Sequence, residues 1–279
     1  MRRLSRREFM AMTAGVSAAA LAAASCGDDE VEPAPRETGE VPSSPAATGP
    51  TVTPVADNAA VAIRWFGQSM FLLTSPGGTE FLLDPFGSIG YALPPPLAVD
   101  AATITHEHPD HNNDALAMTP ARVLRGLTSE GWADIDETIG DVQVRTLRAY
   151  HDDQQGAVRG RNAIFVFEVA GLRIAHLGDL GHQLDDAQRA ALGGPVDVLM
   201  VPTGGGFTID PAGATELMTA LRPAIVFPMH YRTPAISLPL APLEDFTAGK
   251  TVQTVGANNI RISAAELPSE PTVMVLDYA

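Results

Sequence analysis

From Val61 onward the chain alternates short apolar runs with turn residues, a period-2 text rather than a helical one. Val61 to Phe66, Phe71 to Thr74 and Glu80 to Leu83 read as consecutive strands, the last two joined through Ser75-Pro76-Gly77-Gly78, which makes a meander. Val142 to Leu147, Ala163 to Val169 and Leu172 to Leu177 are strands again, with Ala170-Gly171 as a tight hairpin turn. The pattern then switches to alternation: a helix over Asp185 to Leu192, a strand over Val196 to Val201, a helix over Pro211 to Leu221 and a strand over Ala224 to Phe227. Asp185 with Gln188 resembles a capping box, Gly193-Gly194 stops that helix, and Asp210-Pro211 supplies the next with an N-cap and a first-position proline. Antiparallel strands followed by strand-helix alternation predict an α/β fold of two sheets sandwiched between helices. No internal repeat at a solenoid period is present.

Upstream of this region the text differs. Residues 1–25 read as an export signal: a basic start, then a small-residue apolar run from Phe9 to Ala24, too short to span a bilayer. Within it Ser5-Arg6-Arg7-Glu8-Phe9-Met10 resembles the twin-arginine export motif. Cys26 is the only cysteine, and Ala23-Ala24-Ser25-Cys26 resembles the box at which bacterial lipoproteins are cleaved and lipidated, with Ala where Leu is usual. Plain cleavage without a lipid is the alternative. Residues 26–57 form a Pro-rich tether, with six prolines between Asp28 and Asp57 and almost no bulky apolar residue, so burial cannot offset its ordering entropy. The expected mature protein is therefore exported, either as a membrane-anchored lipoprotein or in periplasmic or secreted form, with residues 58–279 as its folded domain.

Composition narrows the chemistry. With 45% hydrophobic residues the folded part can bury a sizeable core. Loss of the signal removes four arginines and one glutamate, taking the net charge from −15 to −18, which repels nucleic-acid phosphates over the general surface. Because the sole cysteine precedes the domain, no disulfide, thiolate ligand or cysteine nucleophile is available to it.

The densest signal is Thr105-His106-Glu107-His108-Pro109-Asp110-His111, beginning where the apolar run Ala101 to Ile104 ends. Three imidazoles and a carboxylate in six residues converge on metal if the chain turns sharply there. The chain has seven histidines in all, and three fall in this one spacing. His151, Asp179 and His230 each follow another predicted strand, and neighbouring strand ends lie about 5 Å apart. Seven ligands exceed one tetrahedral zinc and suit two.

Together with Trp65-Phe66-Gly67-Gln68-Ser69, Leu83-Asp84-Pro85-Phe86, Leu177-Gly178-Asp179, Val201-Pro202-Thr203-Gly204-Gly205 and Pro228-Met229-His230-Tyr231, these motifs resemble the metallo-β-lactamase superfamily. The resemblance runs from about residue 60 to the end, and is strongest to the branch that includes L-ascorbate 6-phosphate lactonase and N-acyl phosphatidylethanolamine phospholipase D. It implies the αββα four-layer sandwich of the metallo-β-lactamase fold, with His106, His108 and His151 on one metal, Asp110, His111 and His230 on the other, and Asp179 bridging. Asp84 would hold the site's loops from behind. Gln68 stands where many relatives carry histidine, and would alter how a substrate is held. His182 is a candidate to face the substrate or donate a proton, with a surface-loop position as its alternative, and Tyr231, which directly follows His230, is a candidate to reach the cleft in a catalytic role. His176 lies inside a strand and reads as a core histidine.

The implied chemistry is hydrolysis of an ester, lactone or phosphodiester in a small or lipid-like substrate. Two Zn²⁺, with Mn²⁺ or Fe²⁺ as alternatives, would share a bridging hydroxide that Asp110 orients. Lactam hydrolysis fits less well with Asp179 and the Pro228 to Tyr231 segment. RNA cleavage fits less well with 27 residues between His151 and Asp179, 50 between Asp179 and His230, and an acidic surface. The oxygen-reducing iron relatives replace a motif histidine with glutamate, whereas His108 is retained. A non-catalytic metal-binding envelope protein using the same fold is the remaining alternative.

Overall fold

The computed structural model describes residues 59–119 and 121–278; the export signal, the tether and Cys26 lie outside them. In chain order the elements are β1 (Val61–Gly67), β2 (Met70–Thr74), β3 (Glu80–Leu83), β4 (Ala101–Ile104), β5 (Arg122–Arg125), β6 (Asp136–Ile139), β7 (Val142–Tyr150), β8 (Arg161–Val169) and β9 (Leu172–His176). There follow α1 (Asp186–Ala191), β10 (Val198–Pro202), α2 (Pro211–Leu221), β11 (Ile225–Met229), α3 (Leu243–Thr247), β12 (Val252–Thr254), β13 (Asn259–Ile262) and β14 (Thr272–Val275). One sheet has the order β13-β1-β2-β3-β4-β5, and the other β12-β14-β11-β10-β9-β8-β7-β6.

The two sheets face each other across a shared core. Alternate residues of β1, Val61, Ile63 and Trp65, point into it together with Phe71, Leu73 and Phe81. The second sheet answers with Val144, Phe165, Phe167, Ile174, Met200 and Phe227. A one-residue register slip in β1 would move this set to the outer face, so the alternation fixes the pairing of Ile63 with Leu73. The outer face of the second sheet, including Ile164, Val166, Ala175, Leu199 and Val226, is covered by Ala214, Leu217 and Met218 of α2 and by Phe246 of α3. β10 is buried at every position, as a parallel strand covered on both faces must be.

The outer layer of the first sheet differs from the predicted helical one. Phe66, Met70, Leu82 and Ala102 are covered by Phe86, Tyr91, Val99, Leu116, Ile236 and Leu240, which sit in loops and one short 3₁₀ turn, Asp114–Leu116. Prolines at 94, 95 and 96 remove backbone donors from the β3-to-β4 crossover, so that segment covers the sheet without becoming a helix. Both helices expected in the βα half are present, and the Asp185 box closes in both directions with Gln188.

The strand directions bring the site together. β1 and β3 are both antiparallel to β2, and β3 and β4 are parallel, so β1, β3 and β4 end at the same edge. β7 and β9 are both antiparallel to β8, and β9, β10 and β11 run parallel, so they also share one edge. His106, His151, Asp179, His230, Asp84 and Gln68 all follow such strand ends.

Candidate metal centre

Each histidine and carboxylate of the predicted set is aimed by a local feature of the chain. The segment after β4 turns sharply enough for His111 N–H to donate to the His108 carbonyl, which folds four of the seven residues into one turn. Asp179 follows Gly178, whose φ of +53° is left-handed; a Cβ there would lie 2.5 Å from Asn162 Oδ1 and 2.6 Å from Thr105 Oγ1. Asn162 accepts from the Asp179 N–H at 3.1 Å and donates to the Leu177 carbonyl at 2.9 Å, fixing the turn. His230 itself has φ +51°, and its N–H donates to the Gln68 carbonyl at 3.3 Å. This left-handed kink ends β11 and turns the imidazole back toward the first sheet's loops.

The structure brings all seven residues together in two groups. In one, His106 Nε2 lies 3.0 Å from His108 Nδ1, with His151 completing the set. In the other, His111 Nε2 and His230 Nε2 lie 3.5 and 3.6 Å from Asp110 Oδ2. Asp179 touches both: its Oδ2 is 3.8 Å from His106 Nε2, 3.2 Å from His151 Nε2 and 3.3 Å from His230 Nε2, while its Oδ1 is 3.1 Å from His111 Nε2. For zinc–nitrogen bonds of about 2.0–2.1 Å, tetrahedral ligand atoms stand about 3.3–3.4 Å apart, so these spacings match ligand edges around ions. His111 Nε2 and Asp179 Oδ1 are buried and face each other without forming an aligned hydrogen bond. Orphaned atoms of this kind in a site of nitrogen and carboxylate donors fit a cation between them.

Electrostatics agree. Burial and the charge of His111 hold the His106 pKa well below the usual imidazole range, so it is neutral and free to ligate. Burial opposes protonation of His230, yet Asp179 and Asp110 outweigh it and raise its pKa to about 9. Burial likewise opposes protonation of His111, and Asp179, Asp110 and Asp84 overcome it. Protons on these two imidazoles balance the carboxylates, a task that metal ions would assume with proton release.

Behind the ligands, Asp84 is fully buried and accepts three hydrogen bonds: from Thr105 N at 2.8 Å, from Thr105 Oγ1 at 2.6 Å and from His111 Nδ1 at 2.8 Å. This carboxylate–histidine pair leaves His111 Nε2 as the donor atom toward the site. Thr105 Oγ1 in turn lies 3.1 Å from His106 Nδ1, so Asp84 steadies both ligand groups. Gln68 Nε2 donates to Asp110 Oδ2 at 2.9 Å.

His182 and Tyr231 are not brought to the cleft. His182 Nε2 accepts from the Tyr150 N–H at 3.1 Å and its Nδ1 lies 2.8 Å from the Gln183 carbonyl, so both ring nitrogens are engaged by backbone. Tyr231 is buried against Trp65, ring centroids 5.5 Å apart, with burial raising its phenol pKa. His176 is a core histidine, bonded to the Ser69 carbonyl at 2.9 Å and packed edge-on to Phe71.

A cavity of about 560 Å³ opens onto the centre, lined by His108, Asp110, His151, Asp179 and His230 and walled by Ile89, Phe207, Leu238 and Arg159. Ile89 lies in the crossover between β3 and β4, and Phe207 in the loop between β10 and α2. Arg159 and Asp152 were not foreseen; the signal available was a glycine-bounded loop with one arginine, following directly on His151.

Residues 62–230 match the family model described as Beta-lactamase superfamily domain. The chain belongs to this superfamily, among its metal-dependent hydrolases of metallo-β-lactamase fold. It is 34% identical over 218 residues to a UPF0173 metal-dependent hydrolase of Anaeromyxobacter sp. (strain K), covering 66% of this chain and 80% of the relative. A UPF0173 metal-dependent hydrolase of Thermococcus onnurineus is 31% identical over 193 residues, covering 62% and 85%. Among solved structures, a candidate Zn-dependent hydrolase of the metallo-β-lactamase superfamily from Thermotoga maritima aligns with TM-score 0.60 and 31% identity, over 77% of this chain and 98% of that one.

The geometry separates Gln68 from the ligands. Gln68→Ala removes the donor that orients Asp110 but no member of the candidate ligand groups, so metal content should stay at the wild-type value while kcat/KM falls about tenfold. His182→Ala should change neither. Elemental analysis beside initial rates checks both, and loss of metal in the Gln68 variant would make its role structural.

Proposed function

We propose that the protein is a dinuclear zinc hydrolase that cleaves an ester, lactone or phosphodiester in a small or lipid-like substrate. The observation that carries this reading is Asp179, whose carboxylate contacts imidazoles of both ligand groups. In this reading His106, His108 and His151 hold one ion, Asp110, His111 and His230 the other, and Asp179 both. Zinc is favoured over Mn²⁺ or Fe²⁺ by the predominance of nitrogen donors, and the Zn-dependent description of the Thermotoga maritima relative supports it. When bound, such ions supply a water acidified toward neutrality and an electrophile for the developing oxyanion. Asp110, partly open to the cleft and oriented by Gln68, is placed to accept a proton from the attacking water. Ile89, Phe207 and Leu238 give the cleft apolar walls beside the donor groups.

The test is elemental analysis of purified protein together with hydrolysis of bis(p-nitrophenyl) phosphate, acyl lactones and N-acyl phospholipids. About two metals per chain with turnover of one class is the expected result. Two metals with no turnover of any would favour the non-catalytic binding protein. We further propose that Arg6-Arg7 directs export and that Cys26 carries a lipid anchor; amino-terminal analysis of the mature protein, soluble or membrane-bound, decides this.

A further inference from the structure

The loop between β7 and β8, residues 151–160, is built around one carboxylate. Asp152 is buried, and its Oδ1 accepts from the N–H groups of Gln154 and Gly156, both at 2.8 Å. Its Oδ2 accepts from Val158 at 3.0 Å and Arg159 at 2.6 Å. These four donors satisfy both carboxylate oxygens. A solvent-facing loop without apolar anchors is thereby locked, and it ends by presenting Arg159 to the cavity that contains His108, Asp110, His151, Asp179 and His230.

Among the described residues, Arg159 is the only lysine or arginine lining that cavity. Its Nη2 donates to the Gly206 carbonyl at 3.0 Å and its guanidinium lies over the Phe207 ring, 4.7 Å from the centroid. Both contacts come from the opposite wall, so the head group is fixed in orientation. No carboxylate pairs with it among the described residues, although the chain carries 33 acidic residues against 18 basic ones. A guanidinium has five N–H donors, and a planar fork held flat on an aromatic ring keeps its free edge for an oxyanion. Around it the cavity wall is apolar: Ile89, Phe207 and Leu238.

We propose that Arg159 is the anion-reading residue of the cleft, and that the substrate joins the scissile bond to a carboxylate or phosphate through an apolar spacer. This rests on the hydrolase reading above and deepens it by naming the substrate class. A guanidinium fixed before the ligand arrives loses little freedom on binding, and its bond to an oxyanion is charge-assisted.

The experiment compares chains that differ only at the far end. Calorimetric titration of the metal-loaded protein with dicarboxylates from glutarate to suberate, and with the matching monocarboxylates ending in methyl, isolates the second charge. A parallel series ending in phosphate distinguishes the two oxyanions. In the wild type at least one length should bind about tenfold tighter with the terminal anion than without it. Arg159→Gln should abolish that advantage with metal content and thermal midpoint unchanged, and Arg159→Lys should keep part of it. Absence of the advantage at every length in the wild type, or its survival in Arg159→Gln, overturns the proposal. An intact, arginine-dependent preference in a protein that hydrolyses no ester, lactone or diester would sustain Arg159 as anion reader and fault the hydrolase reading instead.

Discussion

Asp179→Ala is expected to lower metal content sharply and to reduce hydrolysis by about a thousandfold or more, since loss of the ions forfeits several kcal/mol of charge stabilisation and water activation. Asp179 sets both oxygens against four imidazoles, His106, His111, His151 and His230. If two ions are bound as proposed, its removal would leave two dications facing each other across a short gap with no negative charge between them. No single histidine has this reach, so substitution of His108, which is exposed and belongs to one group, should cost less metal. The measurement is elemental analysis of each variant beside its rate. Two metals and full activity in Asp179→Ala would remove the bridging role and the proposed mechanism with it.

The second large effect belongs to Asp84, which bonds to His111 and Thr105. Asp84→Ala leaves the Thr105 N–H, the Thr105 hydroxyl and His111 Nδ1 without their buried acceptor. At about 1–3 kcal/mol for each buried group left unpaired, destabilisation should exceed about 3 kcal/mol. For a domain of this size that lowers Tm by roughly 10 °C. Metal affinity should fall by about 10- to 100-fold, because His111 loses the partner that fixes its ring and tautomer. Asp84→Asn preserves one acceptor for Thr105 and should fall between. Thermal unfolding with and without chelator separates the two contributions: a deficit that vanishes in chelator would show that Asp84 acts through the metal alone.

The two predictions rest on different kinds of legibility. The cluster of candidate ligands was readable because metal chemistry restricts the residue types to a few, here His and Asp, and because the fold puts them after apolar runs whose ends the sequence marks. The strand pattern was readable wherever period-2 alternation met clear turn residues, so Glu80–Leu83 and the helix Pro211–Leu221 coincide with their predicted limits. Boundaries slipped where a local signal was overruled. The strand predicted to end at Phe227 continues through Pro228 to Met229, because β14 pairs only with Ile225 and Val226 and leaves no partner there for the N–H that proline lacks. Short strands such as β6, exposed at alternate positions, and β12, exposed at every position, carry too little apolar pattern to stand out, and form because a neighbouring edge offers hydrogen bonds.

What the sequence determined by itself is the inventory: two sheets of alternating strands, a cysteine-free core, and seven His and Asp side chains, at or just beyond strand ends, that could hold metal. What only the tertiary structure decided is which side chains share a space. His182 and Tyr231 sit beside Asp179 and His230 in the chain, yet backbone groups capture one and the aromatic core takes the other. Arg159 and Gly206 are 47 residues apart, and the cleft brings them to 3.0 Å. Local sequence fixes the direction of a strand and the chemistry at its end, because those follow from nearest-neighbour sterics and burial. The company a side chain keeps in a cleft depends on long-range packing of loops whose conformations no local period encodes.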